Sequence, residues 1–223
     1  MKRRFGQFLW AALACALCYL PFAARAAEME MHHSFHDAAK WARMFDDPQR
    51  DAWQKPHEVI QALALKPGER VADLGAGTGY FTVRLAHMLP QGRVYAVDTE
   101  PDMVRYVADR AKKAGLANVK TVLATANDAR LPEKVDLILL VDVYHHIGDR
   151  TRYFSRLGES LGPDGRIAII DYRMDAPEGP PPGMRVKPAQ VDKQMRDAGY
   201  VPAGEHDFLP YQYFLVFRRP AAR

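Results

Sequence analysis

Cysteine is almost absent from this chain of 223 residues, which carries only Cys15 and Cys18. Both lie inside an apolar run near the N-terminus. The remainder of the chain therefore offers no thiol, no disulfide and no cysteine ligand for a metal. Disulfide-stabilised folds and cysteine-type zinc sites are excluded there, and stability has to come from ordinary packing.

The chain also lacks a strong excess of charge of one sign. Its formal net charge is +4, and Lys2, Arg3, Arg4 and Arg25 supply four positive charges within residues 1–26, which contain no acid. The remaining chain is therefore close to neutral. Because nucleic-acid and anionic-membrane binders need a basic surface, we expect no nucleic-acid partner and favour a small-molecule acceptor.

A secretory signal peptide is predicted at residues 1–26. Basic residues at 2–4 precede an apolar run at 5–22, and the small residues Ala24 and Ala26 follow. This is the three-part pattern of a signal sequence, with cleavage expected after Ala26. The sequence therefore predicts export, to the periplasm.

An uncleaved membrane anchor is the alternative interpretation of the same segment. The apolar run is broken by Pro21 and is short for a membrane span, which favours the cleaved signal. If the segment stays attached, the positive charges before it still direct the following domain across the membrane. Both interpretations export the domain, and membrane contact is expected only through this segment.

Two further regions are predicted after the signal. Residues 27–65 carry apolar anchors at helical spacing, interrupted by Pro48 and Pro56, and are expected to form an extension of two or three short helices. Residues 66–223 are expected to form the main domain.

Short runs rich in Val, Ile and Leu alternate with amphipathic segments throughout the main domain. This alternation is typical of a parallel sheet with helices on both faces, a doubly wound α/β fold. The predicted strands are 70–74, 93–97, 119–124, 135–141 and 166–171. The predicted helices are 79–89, 101–114, 150–161 and 189–198, with Gly115, Gly162 and Gly199 at their C-terminal caps.

The last third of the chain contains an irregular segment and an apolar finish. Residues 174–188 hold five prolines and two glycines, which predicts an extended loop without regular structure, either a connector or a cover for a site. The run Tyr211-Gln212-Tyr213-Phe214-Leu215-Val216-Phe217 suits a buried strand.

Three glycines follow the first predicted strand, at Gly75, Gly77 and Gly79. In an open parallel sheet, a nucleotide-like cofactor commonly binds at the first strand-to-helix turn. Glycine allows a close approach of the ligand to the backbone and tolerates positive φ. A glycine triplet alone is weak evidence for such a site.

An acidic residue at the end of the next strand strengthens this interpretation. Asp98 lies 23 positions after Gly75, where a carboxylate can accept hydrogen bonds from both hydroxyls of a ribose. A nicotinamide dehydrogenase would carry G-x-G-x-x-G, whereas here Tyr80 follows G-x-G-x-G. Asp73, just before the first glycine, is unneeded by a pyrophosphate but suits a ligand with an ammonium group.

These segments together resemble class I S-adenosylmethionine-dependent methyltransferases of the small bacterial type. The segments that carry the resemblance are Asp73-Leu74-Gly75-Ala76-Gly77-Thr78-Gly79, Ala96-Val97-Asp98 and Val135-Asp136-Leu137-Ile138-Leu139. The resemblance covers residues 58–173. It implies a mostly parallel seven-stranded Rossmann-like sheet whose last strand, 211–218, is antiparallel, and S-adenosylmethionine as cofactor.

The resemblance also implies roles for particular residues. Asp98 would hold the ribose, Gly75 and Gly77 would approach the methionyl portion, and Asp128 would meet the adenine. The cofactor-binding residues implied are Asp73, Gly75, Ala76, Gly77, Gly79, Tyr80, Asp98, Thr99, Met103, Asn127, Asp128, Asp142 and Val143. As ordinary structural residues, Asp98 would be a solvated strand end and Asp128 a turn acid.

The segment after the fourth strand is the candidate catalytic edge. Tyr144, His145 and His146 follow Asp142-Val143 and are expected beside the glycine turn. A base is needed in methyl transfer only when the acceptor arrives protonated, and histidine is suited to that role near neutral pH. Paired histidines at this place also serve structural roles, so both interpretations stay open.

Two other functions remain open from the sequence. The fold could bind a nucleoside-like ligand without turnover, although Asp73 and Asp98 argue for catalysis. Alternatively, soft and borderline ligands near the expected new N-terminus could handle copper or zinc; they are Met29, Met31, His32, His33 and His36, and their spacing fits no defined metal motif.

Overall fold

The computed structural model describes residues 36–220. The predicted signal at 1–26 lies outside the described residues, as do Met29, Met31, His32 and His33. Export, cleavage and the domain boundary at residue 65 therefore stay predictions.

Three short helices occupy the beginning of the described chain: α1 (Ala38–Phe45), α2 (Arg50–Gln54) and α3 (Pro56–Ala62). The side chain of Asp37 caps α1 by accepting the Lys40 N–H. Lys55 adopts a left-handed conformation with φ of 45° between α2 and α3, and Pro56 then begins α3 at a position where no N–H is needed. Left-handed and proline residues thus divide this segment into separate helices.

A seven-stranded sheet forms the centre of residues 36–220. Its strands are β1 (Arg70–Leu74), β2 (Arg93–Asp98), β3 (Val119–Leu123), β4 (Val135–Val141), β5 (Leu161–Tyr172), β6 (Val201–His206) and β7 (Gln212–Arg218). They lie in the order β3-β2-β1-β4-β5-β7-β6. The first five are parallel, and β7 inserts antiparallel between β5 and β6. The expected antiparallel last strand is confirmed.

Four further helices, α4 (Tyr80–Met88), α5 (Pro101–Lys113), α6 (Arg150–Leu157) and α7 (Pro188–Asp197), cover the sheet. One buried cluster joins α3, α4 and α5 to side chains such as Val71 and Leu139. The opposite cluster joins α6 and α7 to side chains such as Ala72 and Leu140. Since successive strand residues point to opposite faces, the apolar strands supply both clusters. The doubly wound α/β prediction is confirmed.

The predicted boundary between α6 and β5 was wrong. The helix ends at Leu157, a 3₁₀ turn covers Gly158–Ser160, and β5 begins at Leu161 rather than at residue 166. Leu161 is buried and pairs with Val135 of β4, so burial against the sheet overrides the helical spacing. Gly162 therefore lies in a strand and is not a helix cap.

Strand β6 is absent from the sequence-based prediction. Its residues are mostly exposed and include Pro202 and Gly204, which disfavour strands. β6 pairs only with β7, at the edge of the sheet, where one neighbour suffices and no alternating apolar pattern is needed.

The proline-rich segment 174–188 is irregular apart from a 3₁₀ turn at Pro182–Met184 and Pro188, which begins α7. The Arg185 guanidinium holds it by donating to the carbonyl oxygens of Arg173, Met174, Ala176, Glu178 and Pro180. Gly179, with φ of +100°, lies against the ring of Tyr172. The loop is thus fixed beside the end of β5.

Within residues 36–220 no helix is both long and apolar enough to span a membrane.

Candidate functional site

The glycine turn joins β1 to α4 in a conformation that favours glycine at three positions. Gly75, Gly77 and Gly79 have φ values of +73°, +54° and +83°. The N–H groups of Gly75 and Ala76 both donate to the carbonyl oxygen of Val97 in β2, at 2.8 and 3.0 Å. The turn is thereby tied to the end of the neighbouring strand.

Close packing around the turn leaves little room for side chains. A Cβ on Gly75 would lie 2.3 Å from a methyl carbon of Val143, which follows β4. On Gly79 it would lie 3.2 Å from Val107 of α5, and on Gly77 it would lie 3.4 Å from the ring of Phe45 of α1. The ends of β1 and β4 and two helices therefore meet at this turn.

Asp98 ends β2 with its carboxylate directed at the turn. One oxygen accepts the Gly77 N–H at 2.8 Å and the other accepts the Glu100 N–H at 3.0 Å. Burial raises the pKa of Asp98 above its ordinary value, although these backbone N–H groups oppose the rise. Each carboxylate oxygen keeps acceptor capacity for a further hydrogen bond. Of the adjacent predicted residues, Thr99 is exposed and Met103 is buried in α5.

Asp73 is buried just before the turn. Its carboxylate accepts a hydrogen bond from the Thr82 hydroxyl of α4 at 2.6 Å. Burial raises the pKa of Asp73 to about 6, and the nearby charge of Asp98 adds to the rise while Arg50 opposes it. This carboxylate lies where a ligand cation would relieve the cost of its ionisation.

Two more residues of the turn have distinct surroundings. The Thr78 hydroxyl is buried and has no hydrogen-bond partner among the described residues, so it is available to a ligand. Tyr80 begins α4, its hydroxyl donates to Asp51, and its ring contacts the guanidinium groups of Arg50 and Arg84 at 4.1 and 4.0 Å from the centroid. Tyr80 therefore links the turn to α2.

Asn127 and Asp128 lie after β3 and are exposed. Asp128 accepts the Arg130 N–H at 2.8 Å in a local turn, as its ordinary structural role would require. Asn127 lines a small cavity of about 120 Å³ together with Asp149 and Tyr153. The contact of both residues with adenine stays a prediction.

Asp142, directly after β4, has φ of +60° and a largely buried carboxylate, with 20% of its side chain exposed. Gln212 of β7 donates to this carboxylate, and the Arg50 guanidinium lies 3.6 Å from it. Burial and the charge of Asp171 raise the pKa of Asp142, whereas Arg50 lowers it. The Arg50 guanidinium therefore lies beside the acidic residues Asp142 and Asp171 at the carboxyl end of the sheet.

Arg50 and Gln54 of α2 are site residues that the sequence analysis missed. Gln54 is fully buried, accepts from Arg50 and donates to Gln212 at 2.7 Å. The two residues are four positions apart, on one face of a helix. The signal that could have found them was an arginine and a glutamine placed four positions apart.

The structure separates the three predicted catalytic residues. Tyr144 is fully buried, its ring stacks on Phe154, and its hydroxyl donates to Gln194 of α7 at 2.8 Å, so it belongs to the core and its direct role finds no support. His145 contacts the buried Asp171 of β5, with its Nδ1 atom 2.9 Å from both carboxylate oxygens. His146 is exposed, and its ring centroid lies 4.1 Å from that of His145.

The described residues contain no group of three or more His, Cys, Asp or Glu side chains arranged to hold a metal ion. Of the residues considered for copper or zinc, His36 alone falls in this range, and its ring lies 3.6 Å from Glu100.

The sheet order, the glycine turn and Asp98 together define a class I S-adenosylmethionine-dependent methyltransferase. A family model described as a methyltransferase domain matches residues 65–204, and the chain belongs to this family, with S-adenosylmethionine as its cofactor. Its donor set fits this group, since glycine backbone, the unpartnered Thr78 hydroxyl and Asp98 meet at one edge.

Relatives in other organisms support the assignment. The chain is 34% identical over 115 residues to protein-L-isoaspartate O-methyltransferase of Aeropyrum pernix, covering 50% of this chain and 42% of that protein. It is 32% identical over 146 residues to malonyl-[acyl-carrier protein] O-methyltransferase of Acetivibrio thermocellus, covering 65% and 49%. The chain thus spans less than half the length of these relatives.

The fold is also similar to solved structures. A SAM-dependent methyltransferase from Aquifex aeolicus superimposes with a TM-score of 0.75 at 28% identity, covering 81% of this chain and 97% of that one. The magnesium protoporphyrin IX methyltransferase of Synechocystis, solved with bound SAM, shares the fold with a TM-score of 0.63 at 20% identity, covering 84% and 93%.

Proposed function

We propose that this protein is an exported enzyme that transfers the methyl group of S-adenosylmethionine to a small-molecule acceptor. The observation that carries the proposal is the hydrogen bond from the Gly77 N–H to Asp98, because it places a half-buried carboxylate directly beside the glycine turn. A ribose held there would lie at the edge where β1, β2 and β4 end.

Different residues at the turn would bind different parts of the cofactor. Asp98 would accept from the ribose hydroxyls, and the backbone of Gly75 and Gly77 would adjoin the methionyl part. The ammonium of that part would neutralise Asp73, whose ionisation is unfavourable in the buried site. The cofactor supplies an activated methyl group, and the protein contributes mainly by positioning the acceptor.

A small-molecule acceptor is supported by the near-neutral charge of the chain after residue 26. The names of the relatives cover different acceptors: protein L-isoaspartate and malonyl-[acyl-carrier protein], each methylated on oxygen, and coclaurine in Thalictrum flavum, methylated on nitrogen. Membership of the family therefore leaves the acceptor open. The side chains at the end of β4 have to determine whether an oxygen or a nitrogen atom is methylated.

Titration of the purified full chain with S-adenosylmethionine and S-adenosylhomocysteine tests the proposal. We expect both to bind, and we expect Gly77→Arg and Asp98→Ala to abolish or strongly weaken binding. Asp192→Asn, an exposed change on α7, is the matched control and should bind as the parent does. Failure of the parent to bind either compound would contradict the proposal.

Export is tested separately by mass spectrometry of the protein from fractionated cells. Cleavage after Ala26 gives a chain that starts at Ala27 in the periplasmic fraction. A chain that starts at Met1 in the cytoplasmic fraction would contradict this part of the proposal and leave the enzymatic part intact.

A further inference from the structure

A buried histidine–carboxylate pair lies at the end of β4 and β5, beside the proposed cofactor site. The side chains of His145 and Asp171 are only 4% and 1% exposed. Both Asp171 oxygens lie 2.9 Å from His145 Nδ1, and one of them also accepts the His145 backbone N–H at 3.1 Å. The carboxylate thus holds the ring and the backbone of one residue.

This contact decides which nitrogen of His145 carries the proton. An ionised carboxylate only accepts hydrogen bonds, so the nitrogen that faces it must be protonated. The proton of the neutral ring therefore lies on Nδ1, and Nε2 keeps its lone pair. A carboxylate in this place also stabilises the imidazolium that forms when Nε2 takes up a proton.

The surrounding backbone keeps the pair rigid. The other Asp171 oxygen accepts the Tyr172 N–H at 2.7 Å. Arg150 of α6 donates to the carbonyl oxygens of Tyr144 and His145, both at 3.0 Å, and so fixes the 3₁₀ turn that carries the histidine. A base held in one geometry loses little conformational freedom when an acceptor arrives.

An independent observation on the neighbouring strand points to a ligand at the same place. Tyr213 of β7 lies directly opposite Asp171 in the antiparallel register, so both side chains point to one face of the sheet. The Tyr213 hydroxyl is buried and has no hydrogen-bond partner among residues 36–220. Burial, with Asp171 nearby, raises the pKa of Tyr213, so the hydroxyl stays protonated and can donate.

We propose that His145, positioned by Asp171, removes the proton from an acceptor hydroxyl, and that the protein therefore methylates oxygen. This inference rests on the proposed function. The O–H proton passes to Nε2 of His145, the oxygen lone pair forms the bond to the methyl carbon, and the carbon–sulfur bond breaks with its electron pair on sulfur. Asp171 is a positioning residue, and the Tyr213 hydroxyl hydrogen-bonds the acceptor oxygen.

The tautomer of His145 is the first test. Long-range ¹H–¹⁵N correlation spectra of the ¹⁵N-labelled full chain, assigned with a His145→Gln variant, should show the proton on Nδ1. In Asp171→Asn the amide can donate to Nδ1, and the proton should move to Nε2. A parent protein with its proton on Nε2 would overturn the inference.

Methyl transfer to phenols of graded acidity separates positioning from mere structural support. With phenol, which is protonated at neutral pH, Asp171→Asn should lower kcat by about 100-fold or more, the usual range for a lost general base. With a nitrophenol that is already ionised at the assay pH, the loss should shrink to about threefold or less. A purely structural defect would reduce both rates equally, and that result would overturn the inference.

Two controls keep this inference distinct from the proposed function. Binding of S-adenosylhomocysteine is measured first, and its absence in the parent contradicts the proposed function itself. Binding without methylation of any hydroxyl in the series contradicts only the oxygen acceptor. Asp192→Asn serves as the matched substitution, because its carboxylate pairs with Arg196 on the exposed face of α7.

Discussion

The Arg50 guanidinium of α2 lies 3.6 Å from the Asp142 carboxylate at the end of β4. Both side chains are largely buried, at 14% and 20% exposure. The same guanidinium stacks on Tyr80 and lowers the pKa of Asp73. A helix outside the sheet therefore supplies the positive charge that balances the acids at the candidate site.

Replacing Arg50 should destabilise the protein through Asp142. In Arg50→Gln the partly exposed Asp142 carboxylate loses its nearby cation, at a cost of about 1–3 kcal/mol at pH 8, below the range for a fully buried pair. Urea unfolding of Arg50→Gln, Asp142→Asn and the double variant measures the coupling, and the double variant should lose less than the sum. Arg84→Gln is the control, because Arg84 contacts the same tyrosine ring but pairs with the more exposed Asp51. A loss of stability in Arg84→Gln as large as that in Arg50→Gln would contradict the role of Arg50 as the partner of Asp142.

Asp73 should make stability fall as the pH rises. Its pKa is raised from 3.8 to about 6 on folding, so the folded state binds more protons between these values. The free energy of unfolding therefore decreases from about pH 4 to about pH 6, by about 3 kcal/mol at most for a shift of this size. Asp73→Asn removes this contribution and can still accept from Thr82.

The measurement for Asp73 is a series of urea unfolding curves between pH 4 and pH 8 for both proteins. The difference between variant and parent isolates this carboxyl from the others. The variant should gain stability relative to the parent as the pH rises. A difference that stays constant with pH would show that Asp73 does not titrate in this window.

Gly75→Ala should destabilise the turn for two separable reasons. The residue has φ of +73°, and the new Cβ would lie 2.3 Å from Val143. Backbone strain and overpacking together predict a loss of about 2–4 kcal/mol in the free energy of unfolding. Gly115→Ala is the matched control, because Gly115 has φ of +68° with nothing within 4 Å, and should lose only about 1 kcal/mol.

A second substitution then isolates the clash at Gly75. Val143→Ala removes the opposing methyl groups, so the double variant with Gly75→Ala should recover the part of the loss that exceeds the Gly115→Ala value. Equal losses for the two glycine variants would mean that Val143 moves aside without cost.

Arg185→Lys should loosen the loop at residues 174–188. Arginine donates to five carbonyl oxygens there, whereas an ammonium has three donors on one atom and no planar fork. Digestion by a glutamyl endopeptidase should then cleave faster after Glu178, inside the loop. Arg219→Lys, which affects a single bond to Gly158, is the control. Unchanged cleavage after Glu178 would show that the prolines alone hold the loop.

The sequence by itself determined the order of elements in the sheet domain and the position of the cofactor turn. Buried parallel strands are apolar along their whole length, and a turn with positive φ favours glycine, so both features are local and visible in the chain. β6 was not predicted because a strand at the edge of the sheet does not need to be apolar along its length. The early start of β5 was missed because Leu161 is placed by its pairing with Val135, a contact distant in sequence.

Only the tertiary structure decided how the polar residues at the strand ends are paired. Tyr144, His145 and His146 are consecutive, yet one lies in the core, one against Asp171 and one at the surface. The role of Arg50 likewise became clear only from its contact with Asp142. Such roles depend on which strands become neighbours and on which side chains are buried together. The local pattern from which helices, strands and turns can be predicted contains neither kind of information.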